Sequence, residues 1–465
     1  VDDPGCGVEI VDTYLVAYVA VMPLAGRLSD VLGRRAVFVG AMALFAIGSL
    51  IVPAAGSLQV LYLGRVLTAL GGGALVPVAF AVAADLHQGA ERVRSLGMLA
   101  AIETVGWVWG PLYGAVLVRF VTWHWQFHIN VALAIAGIVV GWLVLEPGRR
   151  GGHRIDWFGP AALTVGLVAL CSALLSGARI QTVGGLEELT GSGGTSWTGP
   201  WLYPVAGLAF GLFAWNERRS AEPVIDRSLR TDGPALGALT VNVLASVGLV
   251  VTLINVPLFV NIVEGEVADS AVRAGWLLTA FTAAMAITSY LGGRLAATAG
   301  VRGPTVAGLL VGAIGLLTMG LTWDPTSSSA LMALQLAGAG AGMGLLLAPT
   351  SAVVIDAAGE QGRGIASGLV VVARLVGFSI GLAALTAWGL RRYDQLRSNV
   401  ELPSITDPGY ADAVADATRE VSTTALAETF IGGAIAVGLA LVVARSLPGR
   451  PVLAAGESAR PLHEA

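Results

Sequence analysis

Apolar runs long enough, or nearly so, to cross about 30 Å of hydrocarbon as helices recur along this chain. They fall near residues 11–25, 36–54, 58–83, 95–118, 127–145, 158–177, 200–216, 236–262, 274–291, 304–322, 329–355, 364–390 and 421–444. Lipid supplies no partners for backbone N–H and C=O groups, so spans of this length are expected as helices. Composition agrees. Over 465 residues the chain is 55% hydrophobic and only 12% charged, with mean hydropathy +0.75; soluble domains carry about 25% charge. The fold class predicted is an all-α polytopic membrane protein. Glycine, at 62 residues, suits close helix–helix approach in lipid. A net charge of −4 without a basic domain argues against a nucleic-acid partner. Cys6 and Cys171 are too few for a disulfide framework; Cys171 lies in an apolar run and reads as a small packing residue. Cys6 follows no apolar segment, unlike a lipoprotein attachment site, and no cleavable signal peptide precedes the first run. The five histidines show no metal-ligand spacing, so no metal or cofactor is expected.

The first two runs are joined by Gly26-Arg27-Leu28-Ser29-Asp30-Val31-Leu32-Gly33-Arg34-Arg35. Gly26 and Gly33 allow a tight reversal. Asp30 offers an acceptor to a helix N-terminus or an arginine, and Arg34 and Arg35 supply forked donors. A short Arg-rich loop reads as cytoplasmic. Alternating the loops from there puts eighteen of the 27 basic residues inside and seven outside, with Arg65 and Arg374 in spans and the C-terminus inward.

Charges within spans are costly and mark function by default. Arg65, in Leu61-Tyr62-Leu63-Gly64-Arg65, either tethers a loop or tunes a nearby acid. Glu103 lies where water is scarce and could carry a proton. Arg374 sits in the otherwise apolar Val370–Gly377 stretch of the opposite half. Together Glu103 and Arg374 suggest a switchable pair, loosened when the acid is protonated. One turn after Glu103, Gly106, Gly110 and Gly114 recur at period four with Pro111 between them. That spacing lines one helix face for close approach and permits a kink. Asn242, Asn255, Asn261 and Gln335 read as interhelical hydrogen-bonding groups.

These stretches carry a family resemblance. G-x-L-x-D-x-x-G-R-R over 26–35 resembles the signature loop of the major facilitator superfamily, with a weak second copy at Gly292-Gly293-Arg294-Leu295, ending near Arg302-Gly303 and lacking the Asp. Arg65 resembles the arginine of the superfamily's second motif. Gly106, Gly110, Pro111 and Gly114 look like the antiporter motif of proton-driven exporters, with Ala115 in place of the usual final glycine. The resemblance implies two pseudo-symmetric helical bundles plus two linker helices, as in the fourteen-span drug:proton antiporters. The chain as given lacks the family's first helix and that helix's acidic residue. The implied domains are an N-terminal bundle over 1–146, a linker over 147–232 with the Gly/Ser turn 191–194, a C-terminal bundle over 233–446 and a cytoplasmic tail over 447–465.

Helical patterning continues from Gly364 to Arg397 and returns after 402–409 with Tyr410, Val414, Ala417, Val421 and Ala425 on one face. A helix of some 33 residues outruns the hydrocarbon by about 20 Å, predicting an outward hairpin over 391–424. Gly364–Ser367, Val370–Arg374, Ala387–Leu390, Ala84–Leu86 and Gly110–Gly114 look like the actinobacterial branch that exports triacylglycerides. The resemblance implies proton-coupled lipid export across the cytoplasmic membrane, without a cofactor, and a periplasmic lipid-carrying lipoprotein as partner. It matches Glu103 and Arg374 to essential intramembrane charges. The alternatives are a multidrug:proton antiporter for amphipathic drugs and, in another class, a non-transporting scaffold or receptor. No nucleophile–base or metal cluster favours an enzyme.

Overall fold

The computed structural model describes residues 4–120, 122–147, 158–183, 199, 201–219, 229, 231–264, 267–358, 362–400 and 409–449. Among them run thirteen long helices and no strand. They are α1 (Pro4–Leu32), α2 (Arg34–Ile51), α3 (Leu58–Leu86), α4 (Gly89–Phe120), α5 (His124–Val144), α6 (Phe158–Val183) and α7 (Leu202–Arg219), then α8 (Gly233–Glu264), α9 (Val267–Ala299), α10 (Arg302–Thr322), α11 (Ser329–Ala357), α12 (Arg363–Ser398) and α13 (Tyr410–Val443). Each predicted run overlaps one helix. Among the described residues, nine are by themselves long and apolar enough to cross a membrane; α6 adds the shorter apolar stretch Phe158–Ala173.

Burial follows the apolar pattern. α3, α8 and α11 are apolar around their whole circumference and bury about half of their most apolar windows inside the protein, whereas α2 and α5 bury 17%. A helix apolar on every side is at home in the middle of a bundle; α2 and α5 instead turn Leu44, Ile47, Leu133 and Leu143 outward, as lipid contact allows. Serine caps start two of the inner helices. Ser57 accepts from the Val60 N–H and Ser328 from the Leu331 N–H, satisfying donors that a helix start leaves open.

Two bundles result. α1–α5 form one, with α2 packed on α3 and α5, and α1 on α3. α8–α13 form the other, with α9 and α10 on α11 and with α12 and α13 on α8. Its core includes Phe259, Trp323 and Phe430, with ring centroids 5.1 Å apart across each Trp323 contact. The halves meet along two seams: α1 and α3 against α12, and α4 against α9 and α11. The extra pair α6–α7 packs together, and α6 covers the first seam. There Thr164 donates to the Ala20 carbonyl (3.0 Å), and Leu163 and Leu167 join Val19, Met22, Val371 and Leu375 in one apolar cluster. The loop containing 191–194, the turn 401–408 and the tail from 450 lie outside the described residues.

The four in-span amides all bond between helices. Asn255 donates to Thr429 (2.5 Å), Asn261 accepts from Ser270 (3.2 Å), and Gln335 accepts from the Trp323 indole (2.8 Å) while donating to Thr322 (2.9 Å). Asn242 belongs to the site described next. α12 has 36 residues and α13 has 34. At 1.5 Å per residue both exceed 50 Å.

Candidate functional site

Glu103 and Arg374 meet. Arg374, on α12, reaches across the molecular centre with its whole guanidinium engaged. One Nη donates to the Glu103 carboxylate of α4 (3.1 Å), the other to the Ser351 hydroxyl of α11 (3.1 Å), and Nε donates to the Asn242 carbonyl oxygen of α8 (3.1 Å). Arg374 is 9% exposed at its side chain and Glu103 20%. One side of the guanidinium is therefore fixed by neutral groups of its own half, and the other holds the carboxylate of the opposite half. A charge buried at this depth is strongly destabilising without its partner, so the contact ties the two halves while both groups are ionised.

The pair lies on the wall of a cavity between the two halves. Apart from Glu103, Arg374, Tyr18 and Thr282, its walls are apolar, including Leu249, Leu253, Phe281, Met285, Leu347 and Phe378. Helices of both bundles contribute to them. Tyr18 stands beside Tyr14, with ring centroids 5.8 Å apart. Arg65 is not joined to the ion pair: its guanidinium lies over the Tyr14 ring, 4.4 Å from the centroid. The expected tuning of an acid by Arg65 is thus replaced, in this arrangement, by a cation–π contact. Among the described residues, no group of three or more His, Cys, Asp and Glu is placed to hold a metal ion.

A second cluster closes one end of the bundle, around the 26–35 loop. Gly33 takes φ 90°, a left-handed turn that side chains resist. Asp30 accepts an Arg34 Nη (2.5 Å) and the backbone N–H groups of Gly364 (3.1 Å) and Ile365 (3.2 Å). It therefore caps α12 of the opposite half, where the helix dipole favours an anion. Burial pushes the Asp30 carboxyl up from the usual carboxylate range, while Arg34 and the two N–H groups pull it down. Arg34 Nε also bonds Asp85 at the end of α3 (2.9 Å), and Asp85 in turn holds Arg363 of α12 (2.9 Å). Gly26 and Gly364 touch backbone to backbone; a Cβ on Gly364 would lie 2.7 Å from both Asp30 and Arg34. Arg35 takes no part, stacking instead on Trp142 of its own bundle at 3.8 Å.

One expectation needs correction. Gly106 makes no close helix contact, for a Cβ there would meet nothing within 4 Å. The tight approach of α4 to α9 falls earlier, at Gly97 against Gly293; farther along α4, Ile102 and Val105 are already exposed. The surroundings of Gly110, Pro111 and Gly114 lie outside the described residues, although all three are in helix α4. Reading the sequence also missed Ser351, Tyr18 and Arg363 as site members. The available signal for Arg363 is a charged residue at a helix start beside such a loop.

The family model of the Major Facilitator Superfamily matches residues 9–382. The chain belongs to the major facilitator superfamily. Within it, a triacylglyceride transporter of Mycolicibacterium smegmatis is 34% identical over 88% of this chain and 72% of its own length. A probable triacylglyceride transporter of Mycobacterium leprae is 33% identical over 92% of this chain and 85% of its own. Among solved structures of the superfamily fold, a human organic anion transporter superposes with TM-score 0.60 at 16% identity, covering 94% of this chain and 83% of that one. A proton:xylose symporter superposes with TM-score 0.55 at 14% identity, covering 92% and 84%. A major facilitator transporter is not an enzyme, and the chain is a multi-pass membrane protein built for transport.

Proposed function

We propose that this chain is a proton-coupled exporter of a triacylglyceride-like lipid across the cytoplasmic membrane, with the 26–35 loop and the C-terminus on the cytoplasmic side. The observation that carries the reading is the Glu103–Arg374 pair, one carboxylate from one half and one guanidinium from the other, at the edge of an otherwise apolar cavity. Apolar walls suit acyl chains, and two charges that neutralise each other leave no lone cation or anion for a charged substrate to match. The names of the mycobacterial relatives support the same substrate class.

The coupling follows from the pair. With Glu103 ionised, the contact joins the halves across the cavity. Protonation removes one charge and weakens the contact from an ion pair to a single hydrogen bond between the guanidinium and a neutral acid. The halves are then freer to rock, and the cavity changes the side on which it opens. Proton release from Glu103 restores the pair and the starting state. Arg65 on Tyr14, and Tyr14 beside Tyr18, form a ring stack leading from Arg65 to the cavity wall. The arms of α12 and α13, longer than about 30 Å of hydrocarbon requires, form the periplasmic hairpin over 391–424 and offer released lipid a route toward a carrier lipoprotein.

The test is envelope lipid analysis in a deletion strain of the native host carrying the full-length gene, its Glu103→Gln variant or empty vector. Triacylglyceride retained inside with empty vector and with Glu103→Gln, and exported only by the intact gene, supports the proposal. Unchanged lipid with raised drug or dye retention in the deletion strain replaces it with drug:proton antiport.

A further inference from the structure

The polar groups on the cavity wall differ in what each still has to offer a ligand. Tyr18, Glu103, Thr282 and Arg374 reach it from α1, α4, α9 and α12. Thr282 has spent its hydrogen, because its hydroxyl donates to the Leu278 carbonyl one turn back (2.5 Å). It can only accept. Arg374 has spent most of its donors on Asn242 and Ser351. Those two acceptors are themselves fixed. The Asn242 amide donates to the Ala238 carbonyl (2.8 Å) and the Ser351 hydroxyl to the Leu347 carbonyl (2.7 Å), each one turn back on its own helix. Their oxygens therefore face the guanidinium, and both residues are buried. Water offers Arg374 no replacement for them, so it keeps its aim whatever Glu103 does. The one bond that can be exchanged is that of the Nη on Glu103.

Tyr18 is the second donor. Its ring is stacked on Tyr14, and among the described residues its hydroxyl has no hydrogen-bond partner. With Glu103 neutral, the cavity thus presents one donor from each half, the Tyr18 O–H and an Arg374 N–H, on walls that are otherwise apolar. A ligand that satisfies them is apolar over most of its surface. It carries at least two hydrogen-bond acceptors in one small polar centre and needs few acceptors in return. Ester carbonyls are acceptors of that kind. An anionic headgroup fits less well. A phosphate favours two adjacent guanidinium nitrogens at once, and here the nitrogens beside the exchangeable Nη are held by Asn242 and Ser351.

We propose that Tyr18 and Arg374 are the polar anchors of the substrate. One ester carbonyl of a glyceride accepts from the Tyr18 hydroxyl of the first half, and a second accepts from the Nη of the other half that neutral Glu103 holds only weakly. The assignment rests on the lipid-export reading above and adds to it the part of the lipid that is recognised. The acyl chains gain only from the apolar walls, so chain length is read loosely and the ester centre closely. The bound ester also takes the place of Glu103 as the link between the halves, which ties occupancy of the cavity to the same contact as the proton.

The test compares an ester with an ether. Tritiated trioleoylglycerol is bound to the full chain in lipid nanodiscs, in a Glu103→Gln background that keeps position 103 neutral. The competitors are unlabelled trioleoylglycerol, the glycerol triether with the same three chains, and dioleoyl phosphatidic acid. Ether oxygens accept hydrogen bonds weakly, so the triester should compete about tenfold better than the triether, the contribution of one or two such bonds. Adding Tyr18→Phe should weaken the triester about fivefold and leave the triether as it was; the unchanged triether also shows that the variant is folded. Equal competition by ester and ether, or an ester preference untouched by Tyr18→Phe, would overturn the anchors and leave lipid export standing. Phosphatidic acid competing better than the triester would make this an anion site and overturn them as well. If trioleoylglycerol does not bind while an amphipathic dye does, the lipid reading itself fails, and the anchors with it.

Discussion

The same two chemical groups, an arginine and a glutamate, are joined at the centre of the molecule and on its outer arms, and the two pairs do different work. Arg392 on α12 grips Glu428 on α13 with two short bonds, 2.7 and 2.9 Å. Arg374 reaches Glu103 with one bond of 3.1 Å. By geometry alone the outer pair is the better one. Its arginine, however, is 34% exposed against 9% for Arg374. Water competes for the outer charges whether or not they are paired, so forming that pair gains little. At the centre water is scarce, and breaking the pair leaves a charge that nothing else neutralises. The outer pair also joins two helices of one bundle, whereas the central pair joins two bundles. Burial sets the energetic weight of a pair, and the elements it connects decide what a change in that weight moves.

The largest effect that would break this comparison is at the centre. Arg374→Ala strands the Glu103 carboxylate among apolar walls. It should abolish transport and lower stability by about 3–5 kcal/mol while leaving membrane insertion intact, read as transport in vesicles and thermal unfolding in detergent. Glu103→Gln sharpens the point. Its amide oxygen still accepts from Arg374, so unfolding should shift by less than half as much, yet transport should fall at least tenfold, about 1.4 kcal/mol. Normal transport by both variants would remove the pair from the mechanism.

Next comes the closed end. Gly364→Ala forces a methyl against Asp30 and Arg34. Overpacking of that kind costs about 1–3 kcal/mol, borne by the closed arrangement alone. The gate distance, measured between spin labels at Glu91→Cys on α4 and Thr298→Cys at the end of α9, should lengthen while overall unfolding changes little. Asp85→Asn should lengthen the same distance, because Asp85 serves both Arg34 and Arg363; an unchanged distance would mean that these bonds add nothing. The smallest effect is expected on the arms. Arg392→Ala should leave thermal unfolding close to that of the unaltered protein, because water already screens the exposed pair, and should leave both the central pair and the gate distance as they were. A loss comparable with that of Arg374→Ala would show that burial is not what separates the two pairs.

Much of this was legible in the residues. Each of the thirteen apolar runs falls on a helix among the described residues, because a hydrophobic stretch in lipid has only the helix in which to satisfy its backbone. Glu103, Arg374 and the 26–35 loop announced themselves as charges or turns where charge is expensive or turning is forced, and the four in-span amides as groups that need partners. The antiporter glycines were less informative. Period four shows that Gly106 shares a face with its neighbours, but whether another helix comes to that face depends on how the bundles lean, and α4 meets α9 at Gly97 instead.

The sequence by itself determined which segments are helices, which side chains cannot be left alone, and that the chain repeats itself. These follow from local composition and from the cost of burying polar groups. The tertiary structure decided who answers whom. That Asp30 caps a helix start more than three hundred residues away, that Arg65 rests on Tyr14 rather than on an acid, and that Asp85 pairs with an arginine of the opposite half depend on how two bundles dock. Docking is fixed by the summed packing of many small residues at the seams, a long-range quantity that no single stretch of sequence encodes.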